Sequence, residues 1–264
     1  MPEGIHKKMR DLFLAYVVVG GMPEVVNTFL ATNNMAKVKE LQSAIIDEYE
    51  DDMVKYADDA DKPHIRQCFE SIPKQLSKEN KKFQYSVIKR GAKASTYEGS
   101  LQWIEDAGIV RRCYNLDIPE LPLSGNAIDN CFKLYMADTG LLISMLDDGT
   151  QLDVLQGRLN GYKGAIFENV IADVFGKMQR KLYYFHKDSG LEIDFVTRYN
   201  GECTLIEVKA STGNTKSAST ILKHPEKYHV YRCIKLGDYN IGVSASNGMI
   251  TTLPLYMSFL LKGV

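Results

Sequence analysis

The stretch "EIDFVTRYNGECTLIEVKA", residues 192–210, decides the fold, because it contains two apolar runs that each carry an acid inside them. Asn200-Gly201 predicts the turn: a two-residue type I′ loop needs positive φ at both central positions, and Asn-Gly supplies it. With those residues as the loop, Tyr199 pairs with Glu202. Phe195 then faces Ile206, Asp194 faces Glu207, Ile193 faces Val208 and Glu192 faces Lys209. Side chains alternate between the faces of a strand. One face therefore sends Ile193, Phe195, Ile206 and Val208 into a core, and the other gathers Glu192, Asp194, Glu207 and Lys209. Like charges directly opposed across two strands are destabilising. A divalent cation shared by Asp194 and Glu207 would offset that cost, and hard Mg²⁺ takes one or two carboxylates together with waters and phosphate oxygens. The plainer reading is a solvated strand face with Glu192–Lys209 as a cross-strand ion pair.

An Asp followed on the next strand by Glu-x-Lys resembles the core of the PD-(D/E)XK nucleases, which include restriction endonucleases and Holliday-junction resolvases. The resemblance implies that Asp194 and Glu207 bind Mg²⁺ or Mn²⁺, that the Val208 carbonyl adds a metal ligand, and that Lys209 positions or polarises the attacking water. The Pro of the motif is absent, since Ile193 precedes Asp194; that Pro varies widely in the superfamily. Many of these nucleases add a Glu from the preceding helix. "KGAIFENVIADVFGKMQ", 163–179, predicts such a helix, in which Asn169, Asp173 and Lys177 share a polar arc. Glu168 falls instead between Phe175, Ile171 and Ala172, on the side that should be packed. A lone acid there needs a partner. Glu168 is either a shoulder residue that reaches water or, as Asp194 and Glu207 favour, a third acid of a catalytic set Glu168, Asp194, Glu207 and Lys209.

The bounds agree with an intracellular globular protein. The chain has 264 residues, enough for two domains, with 45% hydrophobic and 25% charged residues and a net charge of −1. Five cysteines without C-x-x-C spacing read as reduced thiols in a cytoplasmic protein. "LFLAYVVVGGM" is too short to span a bilayer, so no membrane association is expected.

Local charge is uneven. Residues 40–61 hold nine acids and one Lys, whereas 62–112 carry a net charge of +6. Tyr49, Met53 and Tyr56 give the acidic stretch helical apolar spacing. "PHIRQCFESIPKQL" has Pro63 at a first-turn position. "STYEGSLQWIEDAG" offers Ser95 and Glu98 as a capping box and Gly108 as a stop. Strands "IVRRCYNL" and "CFKLYMAD" follow, separated by a loop rich in Pro, Gly, Ser and Asn. Helices followed by a β-wing suggest a winged-helix-like module, which binds either DNA or protein; in the DNA reading, Lys89, Arg90, Lys93, Arg111 and Arg112 form one basic phosphate-binding patch.

The order of segments adds a second resemblance. "GGMPE", an acidic helix, the winged-helix-like region, "FKLYMADTGLL", "KGAIFENVIADVF", "LYYFHKDSGLEIDFV" and "LIEVKAS" together resemble the C-terminal half of a prokaryotic family of AAA-type ATPases. Their C-terminal domain, of unknown function, carries PD-(D/E)XK-like motifs. In that family a P-loop ATPase domain precedes the GG-x-P-E segment. No G-x-x-x-x-G-K-[ST] occurs in this sequence, so ATP belongs to the missing N-terminal domain and this chain is either a fragment or a shortened member.

The expected fold class is thus α/β: a restriction-endonuclease-like core at 126–264, preceded by a helical linker at 1–61 and the winged-helix-like module at 62–125. The expected function is Mg²⁺-dependent DNA hydrolysis, with DNA and the upstream ATPase domain as partners. The alternative is a non-cleaving DNA- or protein-binding regulatory module of the ATPase, or charges at 192–209 that form only ion pairs.

Overall fold

The computed structural model describes residues 1–56, 61–78, 81–158, 161–210, 213–243 and 249–262. Residues 57–60 of the acidic stretch, the Tyr56 side chain, and parts of the polar loops at 211–212 and 244–248 lie outside them. The elements in chain order are α1 (Glu3–Val19), α2 (Pro23–Thr32), α3 (Met35–Tyr56), α4 (Lys62–Leu76), α5 (Tyr85–Ile88), α6 (Ala94–Asp106), β1 (Val110–Leu116) and β2 (Ala127–Met136). Then come α7 (Thr139–Ser144), α8 (Thr150–Leu155), α9 (Lys163–Lys177), β3 (Leu182–His186), β4 (Glu192–Ile193), β5 (Phe195–Tyr199) and β6 (Glu202–Lys209). The chain continues through α10 (Lys216–Leu222), α11 (Pro225–Tyr228), β7 (Arg232–Gly237), β8 (Gly242–Val243) and β9 (Ile250–Pro254). A short 3₁₀ helix follows at Leu255–Leu260. The fold is mixed α/β and forms two compact units, each discontinuous in sequence.

One unit, Leu14–Arg112 with Leu134–Asp173, is mainly helical. Helix α4 shows why. Ile65, Cys68, Phe69, Ile72 and Leu76 recur at helical spacing and all are buried. Each large apolar side chain so buried contributes about 1.5–3 kcal/mol. The "GG" and "DTG" motifs interlock in this unit. Gly20 has φ +76°, and a Cβ there would lie 2.2 Å from Asp138 Oδ1. Asp138 caps α7, accepting from Leu141 N at 3.0 Å, and its other oxygen accepts from Gly21 N at 2.6 Å. Gln42 Nε2 donates to the Val18 and Val19 carbonyls at 2.8 and 3.1 Å, and Gly140 has no room for a Cβ beside it.

Two local expectations need correction here. Helix α6 begins at Ala94, with Lys93 at the cap position and no side-chain cap bond, so Ser95 and Glu98 form no capping box. Glu98 instead pairs with Arg112 and accepts from the Tyr85 hydroxyl at 2.7 Å. The supposed polar arc of α9 is buried at two of its three positions, while Lys177 is exposed. Asn169 is fully enclosed, bonding the Met136 N–H and carbonyl and Thr139 Oγ1 at 2.8, 3.1 and 3.0 Å, and Asp173 is 1% exposed. Polar residues on a packed stretch of helix turn inward where partners exist.

The other unit, Met1–Phe13 with Cys113–Lys133 and Val174–Val264, carries the strands around the hairpin. One sheet has the order β2-β1-β3-β4 and the other β5-β6-β7-β9-β8. Both are mixed: β1–β3, β6–β7 and β7–β9 are parallel, whereas β3–β4, β5–β6 and β8–β9 are antiparallel. Strand β6 lies between β5 and β7 and is buried from Cys203 to Val208, which accounts for its nearly continuous apolar character. Leu205, Val196, Ile193, Phe185, Ile221 and Cys233 belong to one apolar cluster.

Candidate functional site

The hairpin turn forms as its sequence requires. Asn200 and Gly201 have φ +50° and +82°, and Tyr199 pairs with Glu202. The ladder runs up to Phe195–Ile206 and stops there. At Asp194 the chain crosses from one sheet to the other: Ile193 pairs with Phe185, and Glu192 with His186, on β3. The anticipated facing of Glu192 with Lys209 is therefore replaced. Glu192 takes Lys133 as its partner, at 3.1 Å. Lys133 has a fully buried side chain, and its ammonium also lies 4.8 Å from the Tyr184 ring centre.

The crossing leaves Asp194 and Glu207 together with Lys209. Asp194 Oδ2 accepts a hydrogen bond from Val208 N at 2.7 Å, so the side chain caps the β6 backbone just before β5 begins. Lys209 Nζ pairs with Glu207 Oε2 and lies 3.7 Å from Asp194 Oδ2. Asp194 is 8% exposed and Glu207 3%. Cys203 and Leu205 share the Glu207 side of β6 and are buried, so this face is covered rather than solvated. Burial first, and then the Asp194 charge, push the Glu207 carboxyl up to about 7, even with Lys209 opposing; Glu192 adds to the rise.

Val208 belongs to this cluster through its backbone. The donor set of two carboxylates and a neighbouring carbonyl is hard oxygen, which suits Mg²⁺ or Mn²⁺. Among the described residues no group of three His, Cys, Asp or Glu side chains is arranged to hold a metal. Glu168 belongs to the helical unit. Its buried carboxylate bonds Lys81 Nζ at 2.7 Å and the Tyr135 hydroxyl at 3.0 Å, which supplies the partner that its packed position requires.

The basic residues do not all share one environment. Lys89, Arg90 and Lys93 are exposed and Arg111 is half-buried. Arg112 departs from the anticipated patch. It is buried and paired with Glu98 and Glu105, two turns apart on the same face of α6, so its charge is already spent inside the unit.

Sequence reasoning missed Lys235 and Tyr239. Lys235 is the register neighbour of Glu207 on β7 and donates to the Gly213 carbonyl at 2.6 Å. Its ammonium lies 5.1 Å from the Tyr239 ring centre. Tyr239 packs so closely on Gly237 that a Cβ there would meet the ring at 2.3 Å. Burial raises the Tyr239 hydroxyl's pKa, with the charges of Cys233 and Glu207 adding to it. The available signal was a single Lys in each of the apolar runs "CFKLYM" and "RCIKLG", as unusual there as the acids of β5 and β6.

A family model described as a domain of unknown function, DUF8612, matches residues 10–152, more than half of the chain. The chain belongs to the DUF8612 family. A second domain of unknown function, DUF4143, matches residues 163–256. The DUF8612 match takes in both the Gly-Gly and the Asp-Thr-Gly segments that interlock around Asp138, whereas Asp194, Glu207 and Lys209 fall within the DUF4143 match. No curated protein and no solved structure matches the chain. Among the described residues no helix is long and apolar enough to cross a membrane.

Proposed function

We propose that Asp194, Glu207 and Lys209 form a divalent-metal-dependent site for phosphodiester hydrolysis in DNA, on a PD-(D/E)XK-like core. One observation carries the reading: two buried carboxylates stand beside the same lysine, and burial with the Asp194 charge pushes Glu207 up to about 7. Two acids held together in a buried place favour a cation between them. Asp194, Glu207 and the Val208 carbonyl would hold Mg²⁺ or Mn²⁺, which when bound supplies Lewis-acid charge stabilisation and a more acidic water. The chain's own part is positioning. The Val208 N–H fixes the Asp194 carboxylate, the central strand β6 fixes Glu207, and Lys209 orients the attacking water once its hold on the carboxylates loosens. The test is plasmid nicking with Mg²⁺, Mn²⁺ or EDTA. Nicking by the wild type with metal, and none by Asp194→Asn, Glu207→Gln or Lys209→Met, supports hydrolysis; Glu168→Gln in the same assay decides whether that acid contributes.

A second reading has its own support. Lys209 already bridges both carboxylates, which suits a non-cleaving, DNA- or protein-binding regulatory module. The GG-x-P-E order and the DUF4143 match support reading the chain as the C-terminal region of an AAA-type ATPase. The helix, helix, strand, strand order of α4, α6, β1 and β2 supports a winged-helix-like module, with Lys89, Arg90 and Lys93 as its exposed cations. Absence of nicking with every metal, together with intact DNA or partner binding, would select this reading.

A further inference from the structure

Helix α10 is amphipathic. Ala218, Ile221 and Leu222 are buried, and the first two with Leu222 belong to the apolar cluster beneath the hairpin. Lys216, Ser219, Thr220 and Lys223 recur at helical spacing on the opposite side. A polar helix face is ordinarily convex and open. This one is a wall of an open cleft of about 490 Å³, bordered by residues 213–215 and by Lys235 from β7. Among the described residues the cleft is lined by three lysines, by hydroxyls from Thr215, Ser219 and Thr220, and by no acid. Its volume is in the range of small-molecule sites. The buried side of α10 fixes the lysine-bearing side in place.

The cleft adjoins the carboxylate cluster. A Cβ on Gly213 would lie 2.9 Å from Lys209 Cδ, so the loop wall packs on the Lys209 stem. Lys235 pairs in register with Glu207 and donates one of its three N–H groups to the Gly213 carbonyl. Lysine ammonium groups beside neutral hydroxyl donors are the chemistry of a phosphate site.

We propose that this cleft, with Lys216, Lys223, Lys235 and Ser219 as its donors, binds backbone phosphates of a nucleic-acid strand and leads that strand to Glu207 and Asp194. The proposal rests on the phosphodiester reading of the adjoining cluster for its direction, but its binding step needs no metal. The test uses the full chain carrying Asp194→Asn, in EDTA, with a labelled oligonucleotide as single strand and as duplex, across a salt series read by fluorescence anisotropy. Removing two phosphate contacts with Lys216→Gln and Lys223→Gln should lower the slope of log affinity against log salt by about 1.4–1.8. The control pair Lys7→Gln and Lys8→Gln, exposed on α1, should leave the slope unchanged. An unchanged slope in the cleft variant, an equal fall in the control, or no binding of either oligonucleotide by the parent protein would overturn the proposal. Pyrophosphate binding without oligonucleotide binding would also overturn it, assigning the cleft to a small phosphate compound. A reduced slope alongside a failed nicking assay would remove the hydrolytic reading and leave the cleft standing.

Discussion

Asp138 and Glu207 are both buried acids in motifs visible in the sequence, yet their surroundings differ in kind. Asp138 accepts from two backbone N–H groups, those of Gly21 and Leu141, and a glycine stands where a side chain would collide with it. Glu207 lies beside a second carboxylate, pairs with Lys209, which is also near that carboxylate, and has its pKa pushed up to about 7. The first arrangement satisfies a carboxylate through neutral donors and closes a fold. The second sets two acids against each other at the end of a buried strand, and strongly shifted acids of that kind mark candidate sites.

The sharpest way to break this contrast is to remove each acid. Asp138→Ala should lower stability by about 2–4 kcal/mol, since it deletes a helix cap and leaves buried N–H groups without acceptors. Gly20→Ala should behave similarly, because positive φ and the collision with Asp138 both oppose the new methyl group. Urea midpoints check both. Little change in either variant would mean that the interlocked motifs are not structural.

Glu207→Gln should act in the opposite direction. A folded-state pKa raised from 4.5 to about 7 means that the folded protein keeps a proton that the unfolded chain releases. That contribution is complete below about pH 4.5 and is lost as pH rises through about 7. Metal-free Glu207→Gln should therefore be more stable than the wild type at pH 8, by on the order of 2 kcal/mol, and indistinguishable from it near pH 4. Urea titrations at the two pH values test the sign.

The smallest effect belongs to the turn that sets the register. Gly201 has φ +82° with open space around its Cα, so Gly201→Ala adds strain without a collision and should cost about 1 kcal/mol. A loss several times larger would show that the hairpin has more riding on this turn than its own geometry.

Much of the hairpin was legible because local chemistry determines it. Asn-Gly fixes the turn, the turn fixes the pairing of Phe195 with Ile206, and alternation then puts Asp194 and Glu207 on one side. Reading outward from the turn failed beyond Phe195: Ile193 pairs with Phe185 rather than facing Val208, and Glu192 pairs with His186 rather than facing Lys209. No local signal marks that crossing, since the exchange depends on a strand from a different sheet. The capping box at Ser95 failed because α6 begins one residue earlier, with Lys93 at the cap position, and Glu98 pairs with Arg112 instead. Arg112 looked like a surface cation for the same reason: its partners are supplied by tertiary packing. Asn169 and Asp173 formed a polar arc with Lys177 only on the assumption that this whole side of α9 meets water; Lys177 is exposed, but the other two are packed. Lys133 and Lys235 were visible as odd cations in apolar strands, but their roles depend on strand order, which the sequence does not print.

The central claim is that Asp194 and Glu207 form a cation site rather than a structural ion-pair cluster, and four melting curves test it: wild type and Asp194→Asn, each with and without Mg²⁺. Asn can still accept the Val208 hydrogen bond, so the variant removes charge with little loss of shape. The account predicts that Mg²⁺ raises the wild-type melting temperature through binding to the native state, that Asp194→Asn loses this rise, and that without metal the variant melts at or above the wild type because the repulsion with Glu207 is relieved. A variant that melts markedly lower without metal, with Mg²⁺ shifting neither protein, would contradict it.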